Sequence, residues 1–212
     1  MKRIALALLF LITVLHSTDI SSCAYTISSN GYYQLTGNLA CTGHGITIDA
    51  GLTSVQLNLK GYTIDGDDGA SDYGIRILGS SGIIVENGTI TDFNRGISKY
   101  GSTSDNIRLA NLTISSCGTG MYIATSDAGT PITNVNISNN TISTGTEDGI
   151  YFGRFGTGVT VTTGTISQNY IHGNANRQIY IASYATANIT RNNVSGDGGA
   201  VDGIDIVPGV VN

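Results

Sequence analysis

The chain of 212 residues carries 10 Lys and Arg against 15 Asp and Glu, a net charge of −5, with 29 Gly, 2 Pro and no Trp. Charge this sparse and net negative, with no basic patch, excludes nucleic acid as a partner. Three Cys and three His without metal-ligand spacing argue against a zinc or copper centre.

Lys2 and Arg3 ahead of an apolar run from Ile4 to Leu15 read as a secretory leader, too short to span a bilayer. Residues 1–22 are assigned to it, with cleavage expected between Ser17 and Ala24. The chain is therefore expected to be secreted, extracellular or held at the cell surface, with no transmembrane segment once the leader is gone. Ile20-Ser21-Ser22-Cys23 also fits a bacterial lipoprotein box, which would make Cys23 a lipid anchor. The alternative, favoured by export, is a disulfide to Cys41, 18 residues on, stapling the first turn. Cys117 is then left over and reads as a small buried hydrophobe. Residues 23–44 are expected to cap one end of the fold, and residues 45–212 to repeat a single unit.

That unit is clearest from Ile107 to Ile123: Ile107, Leu109, Asn111-Leu112-Thr113-Ile114, a Ser/Cys/Gly break, then Gly120-Met121-Tyr122-Ile123. Its anchor recurs as Ile64, Ile90, Ile114, Ile142, Ile171 and Val194, in steps of 26, 24, 28, 29 and 23 residues. Five residues ahead of each anchor stand Leu59, Val85, Leu109, Ile137, Ile166 and Ile189. Two before those come Leu57, Ile83, Ile107, Val135, Gly164 and Ala187. The second half recurs as Gly45-Ile46, Gly74-Ile75, Gly96-Ile97, Gly120-Met121, Gly149-Ile150, Gln178-Ile179 and Gly203-Ile204.

A period of this length with alternation inside each unit marks a strand solenoid. One unit cannot bury its own apolar face, but rungs stacked at roughly 4.8 Å merge their inward residues into one core. The Thr, Ile, Val and Gly content excludes a helical solenoid. Asn87, Asn111 and Asn139 share one position of the unit, and Asn140, Asn169 and Asn192 share the next. Stacked Asn side chains pass amide hydrogen bonds along a column and accept a left-handed backbone; the Gly column is expected to supply left-handed corners too. The Asn-x-Ser/Thr triplets at Asn87, Asn111 and Asn139 are the repeat itself and do not indicate glycosylation.

From Gly45 to Val207 these rungs resemble the right-handed parallel β-helix repeat of the pectin-lyase-like superfamily. Cys23, Tyr25-Thr26-Ile27, Gly31-Tyr32-Tyr33-Gln34-Leu35, Leu39 and Cys41 resemble the Cys-stapled entry segment of its secreted members. The resemblance implies an all-β, right-handed parallel β-helix of about six to seven rungs. It implies no single activity, since lyases, hydrolases, epimerases and non-catalytic modules share that fold. Gly43-His44-Gly45 matches the Gly-His-Gly element of polygalacturonases in letters only. It opens the first rung and lacks that family's Asn-Thr-Asp and Arg-x-Lys elements.

In Gly-Ile-x-Ile the x position is expected to face solvent, and down the stack it reads Thr47, Arg76, Ser98, Tyr122, Tyr151, Tyr180 and Asp205. Tyr122, Tyr151 and Tyr180 on consecutive rungs, flanked by Arg76 and Asp205, form a strip suited to stacking on sugar rings. A purely structural aromatic ladder is the alternative, and burial of Tyr151 under the 153–163 loop would favour it. Asp65, Asp67, Asp68 and Asp72 cluster after the first anchor, where they could hold Ca²⁺. Asp65, Asp67, Asp68 and Asp92 with Arg76 are the candidate acid–base set for glycoside or uronate chemistry. An exposed turn with Asp-Gly steps explains the same residues without chemistry.

The favoured function is an exported module that binds polysaccharide or cell-surface glycan along the tyrosines, with no cofactor apart from calcium at the Asp loop. The alternatives are a polysaccharide lyase, epimerase or hydrolase, and a structural or adhesive surface protein. After the last Gly-Ile unit, the final rung is expected to be covered by Pro208–Asn212, to make an end-to-end contact with another molecule, or to continue into a longer β-helix of which this chain is a fragment.

Overall fold

The computed structural model describes residues 17–100, 104–125, 131–154, 162–196 and 203–207. The leader up to residue 16, most of the loop after Tyr151 and the tail from Pro208 lie outside the described residues. In chain order the rungs begin with β1 (Ser17–Ile20) and β2 (Tyr25–Ile27), then β3 (Gly31–Leu35), β4 (Leu39–Ala40) and β5 (Ile46–Ile48). Next come β6 (Val55–Asn58), β7 (Thr63–Asp65) and β8 (Tyr73–Ile77), followed by β9 (Ile83–Thr91) and β10 (Arg95–Tyr100). The middle rungs are β11 (Ser104–Ser115) with β12 (Thr119–Thr125), then β13 (Ile132–Ser138), β14 (Thr141–Ser143) and β15 (Ile150–Arg154). The stack closes with β16 (Thr162–Ser167), β17 (Tyr170–His172) and β18 (Ile179–Ile181), then β19 (Ala185–Thr190), β20 (Asn193–Ser195) and β21 (Ile204–Ile206).

All pairings among these strands are parallel. One sheet has 8 strands, β2-β5-β8-β10-β12-β15-β18-β21; the other has 13, with its main path along β1-β3-β6-β9-β11-β13-β16-β19. The chain is thus the all-β parallel solenoid that its repeat implies.

Alternation drives one residue in two inward, and parallel stacking then lines the inward residues into columns. Ile64, Ile90, Ile114, Ile142 and Ile171 form one fully buried column. One register differs from the expected alignment: Leu57 pairs with Val85 and Val55 with Ile83, two residues earlier than the anchor spacing suggests. The difference is absorbed at the turn after Leu59, where Lys60 and Gly61 take φ of 56° and 81°. Phe152 is the bulky member of the column Ile123–Phe152–Ile181, and its room comes from Gly164. A Cβ at Gly164 would stand 2.9 Å from Phe152 Cζ and 2.4 Å from the Val135 carbonyl oxygen.

The Gly column exists for a different reason from the one expected. Its members lie outside the left-handed region; from Gly45 to Gly149 what requires them is close approach. A Cβ at Gly120 would meet Ile142 Cγ2 at 2.5 Å and the Gly149 carbonyl oxygen at 2.6 Å. Left-handed backbone is carried instead by Asn87, Asn111 and Asn139, at φ of 63°, 55° and 57°. The next position holds a buried ladder. Asn140 Nδ2 donates to Asn169 Oδ1 at 2.9 Å, and Asn169 Nδ2 donates to Asn192 Oδ1 at 2.9 Å.

The N-terminal assignments shift. Ser17–Ile20 pairs with β3 and Ile20 is fully buried, so the fold reaches into the stretch assigned to the leader. Residues 23–44 are a rung of the stack, with Ile27, Tyr33, Leu35 and Leu39 turned inward. Cys23 and Cys41 are joined by a disulfide, with Cα atoms 5.5 Å apart, which leaves Cys23 no free thiol for lipid. Cys117 is buried and burial pushes its thiol up to about 12, as suits an inert core residue. At the other end Ile204 and Ile206 continue inward columns yet are 44% and 59% exposed, because no described rung covers them. No helix among the described residues is long and apolar enough to cross a membrane.

Candidate functional site

The outward column of the 8-stranded sheet places Arg76, Ser98, Tyr122, Tyr151, Tyr180 and Asp205 in single file, each in register with the next. Beside it runs a second column, in which Tyr73 pairs with Arg95 and Arg95 with Thr119. Asp148 and Arg177 hold the matching places before Gly149 and Gln178 on later rungs.

Contacts between the two columns decide what solvent reaches. Tyr122 and Tyr151 stack at 4.7 Å, and Tyr151 meets Tyr180 edge-on at 5.2 Å. The Arg95 guanidinium lies 3.6 Å from the centroid of Tyr122, and that of Arg177 lies 3.4 Å from the centroid of Tyr180. Tyr122 is consequently only 6% exposed, and Ser98 is buried too, which corrects the expectation that this whole column faces solvent. Alternation turns both away from the core, but neighbours on the same face cover them. Tyr151 and Tyr180 are half-buried, and Tyr100 is 43% exposed beside Tyr122. Burial raises the hydroxyl pKa of Tyr122 despite Arg95; burial first, then Tyr122 and Tyr180 as neighbours, raises that of Tyr151.

Charge is unevenly matched along the face. Arg177 makes a two-pronged pair with Asp148 at 2.8 and 2.9 Å and approaches Asp205 at 3.5 Å. Arg76 and Arg95 approach the ring of Tyr73, at 5.7 and 5.8 Å, and neither makes an ion pair among the described residues. A groove of about 300 Å³ is lined by Tyr73, Arg76, Arg95, Ser98, Tyr100 and Tyr122. His44 stacks on Tyr73 at 4.9 Å, with its Nδ1 3.2 Å from the Asp72 carboxylate.

The acidic loop is less coherent than its sequence suggests. Asp72 is turned to His44, and Asp67 accepts from the Gly69 N–H of its own turn at 3.3 Å. Asp68 and Asp92 occupy left-handed corners, with φ of 59° at each. Among the described residues no three His, Cys, Asp or Glu are placed to share a metal ion. Asp65 and Asp92 do come together. Desolvation first, then a hydrogen bond and like charge from Asp92, holds the Asp65 carboxyl above the usual range. Arg76, the basic member of the candidate acid–base set, belongs to the tyrosine groove instead.

Tyr73, Arg95, Tyr100 and the Asp148–Arg177 pair are site residues that the repeat alone did not single out. A signal existed for most of them, since Tyr73, Arg95, Asp148 and Arg177 all stand two places before the inward apolar residue.

A family model described as a right handed beta helix region matches residues 16–195. Neither the curated proteins nor the solved structures contain a significant match.

Proposed function

We propose that this chain, which belongs to the right-handed β-helix family, is an exported module that binds polysaccharide or cell-surface glycan along the outer face of its 8-stranded sheet. Membership itself assigns no chemistry, because function on such a fold lies in its sites. One observation carries the reading: Tyr151 and Tyr180 present partly exposed rings on successive strands, and Tyr151 stacks on Tyr122, which lines the groove together with Tyr73, Arg76, Arg95 and Tyr100. Tyrosine offers an apolar face for a sugar ring and a hydroxyl for its edges. A file of rings at strand spacing, roughly 4.8 Å, suits a linear polymer lying along the stack. The Cys23–Cys41 disulfide supports export, since such bonds persist in oxidising compartments.

The rings divide the work. Tyr122, under Arg95 and almost closed to solvent, serves the fold, whereas the half-buried Tyr151 and Tyr180, the latter with Arg177 on one side of its ring, serve the ligand. A panel of neutral and acidic glycans tests the reading: Tyr151→Ala should weaken the bound glycan by about 1 to 2 kcal/mol with the fold retained. A wild-type protein that retains none of the panel would refute it.

A second reading rests on the Asp65–Asp92 pair, two carboxyls brought into hydrogen-bond contact, with desolvation first and then Asp92 raising the Asp65 carboxyl above its ordinary range, the kind of pairing that acid–base chemistry uses. Assays for new reducing ends or unsaturated products, with Asp65→Asn and Asp92→Asn as controls, would reveal it.

A further inference from the structure

The tyrosine face is electrically lopsided, and we infer that its glycan carries an anionic substituent at one end of the contact only. A carboxylate or sulfate ester would sit between Arg76 and Arg95, with uncharged sugars over Tyr151 and Tyr180. The inference rests on the glycan-binding reading and sharpens it.

Among the described residues, Arg108 donates to Glu86 at 2.7 Å and Arg177 to Asp148 at 2.8 Å, yet Arg76 and Arg95 make no ion pair. Both instead lie toward the Tyr73 ring, and Arg95 also covers Tyr122. A ring face attracts the cation but accepts few of a guanidinium's five N–H donors. Those donors line a groove of about 300 Å³ that the Tyr100 and Ser98 side chains also border. Asp72, next to Tyr73 in the chain, is engaged with His44. Two cations without an ion pair among the described residues share one concavity, and the nearby Glu147 carboxylate accepts from Thr119 at 2.8 Å, so the groove itself carries a local positive field. A planar or tetrahedral oxyanion, bound in two-pronged fashion, is the partner such guanidinium edges favour.

The opposite end has the reverse balance. There Arg177 is shared by Asp148 and Asp205, two carboxylates to one guanidinium. From β8 to β18 is four strand steps, roughly 20 Å. A polymer with a carboxylate on every sugar would satisfy Arg76 and Arg95 but bring its other charges against Asp148 and Asp205. Charge on the ligand is therefore confined to the Arg76 end.

The test is calorimetric titration of the exported chain with four neutral hexasaccharides, built from xylose, glucose, mannose or galactose. Each is used unmodified, with a single glucuronate, and with a single sulfate ester, alongside hexagalacturonate. At least one singly charged form should bind about tenfold more tightly than its neutral parent and than hexagalacturonate. The form that gains names the anion. Arg76→Gln and Arg95→Gln should each remove that gain, and Tyr151→Ala should weaken charged and neutral forms alike. Arg76→Gln is the cleaner variant, because Arg95 also covers Tyr122. Equal binding of neutral and singly charged forms, both weakened by Tyr151→Ala, would overturn the anion subsite and leave the glycan reading standing. Tightest binding by hexagalacturonate would overturn the confined charge. Binding of no member would overturn both.

Discussion

Arg95 holds its guanidinium 3.6 Å from the centroid of Tyr122, one strand further along the stack. The contact converts an outward position into a closed one, because Tyr122 keeps only 6% of its surface in solvent. Removing a ring that well packed should cost about 3 kcal/mol. Tyr122→Ala should therefore melt well below wild type, and Tyr151→Ala, from a half-buried position, should lose less. Chemical denaturation of the two variants checks the order, and the reverse order would mean that the cover over Tyr122 is absent.

The buried Asn ladder should be unforgiving. Asn169 accepts from the Asn140 N–H and Nδ2 and donates to Ile137 and Asn192 oxygens, so Asn169→Ala strands several buried groups at once. A loss of at least about 2 kcal/mol is expected. Asn136, exposed on the outer face of β13, should tolerate Asp within about 1 kcal/mol, whereas Ile137→Asp, at 0% exposure, should abolish folding.

Lys99 occupies an inward position between Ile77 and Ile123 and is fully buried. Burial lowers its pKa from 10.5 to about 8. Between those values the unfolded chain keeps a proton that the folded chain has released, so stability should rise with pH across that window. Below pH 8 the buried charge costs roughly 3 kcal/mol. Tyr122 and Tyr151 act oppositely: their raised hydroxyls let the unfolded chain ionise first, so stability should fall above about pH 10. Lys99→Met should be more stable than wild type at pH 7 and should lose the rise above pH 8. A variant that keeps the rise would place its origin elsewhere.

Reduction of the Cys23–Cys41 bond, which closes an 18-residue separation, should cost about 3 kcal/mol in the chain-entropy picture. Thiol titration of the denatured, unreduced protein should find a single reactive group, Cys117. Three reactive thiols would show that the bond does not form.

Columns were the legible part of this chain. Ile90, Ile114 and Ile142 declare the core because parallel stacking repeats the same inward position on every rung, and Asn140 and Asn169 declare the ladder likewise. What escaped depends on contacts between columns. Strand alternation turns Tyr122 outward but says nothing of Arg95 reaching over it from a neighbouring file. The glycines invited a backbone explanation, whereas the crowding of Gly120 by Ile142 exists only once the rung is closed. Lys99 interrupts an apolar column, and the shift at Leu57 needs the turn at Lys60 and Gly61 to be seen. Asp65 and Asp92 were placed together by spacing, but the separation of Arg76 from them follows from its lying on the other sheet.

The chain has 11 Tyr and no Trp, so tyrosine resonances report on the proposed face and on the rest of the surface in one spectrum. Protein carrying carbon-13 tyrosine should be titrated with the hexasaccharide of the neutral and singly charged panel that binds most tightly. Resonances of Tyr73, Tyr100, Tyr151 and Tyr180 should move together and saturate at one ligand per chain, while Tyr32, Tyr62 and Tyr170, exposed elsewhere, stay fixed. Shifts confined to Tyr32, Tyr62 or Tyr170, or no movement of any tyrosine at saturating glycan, would contradict glycan binding on this face.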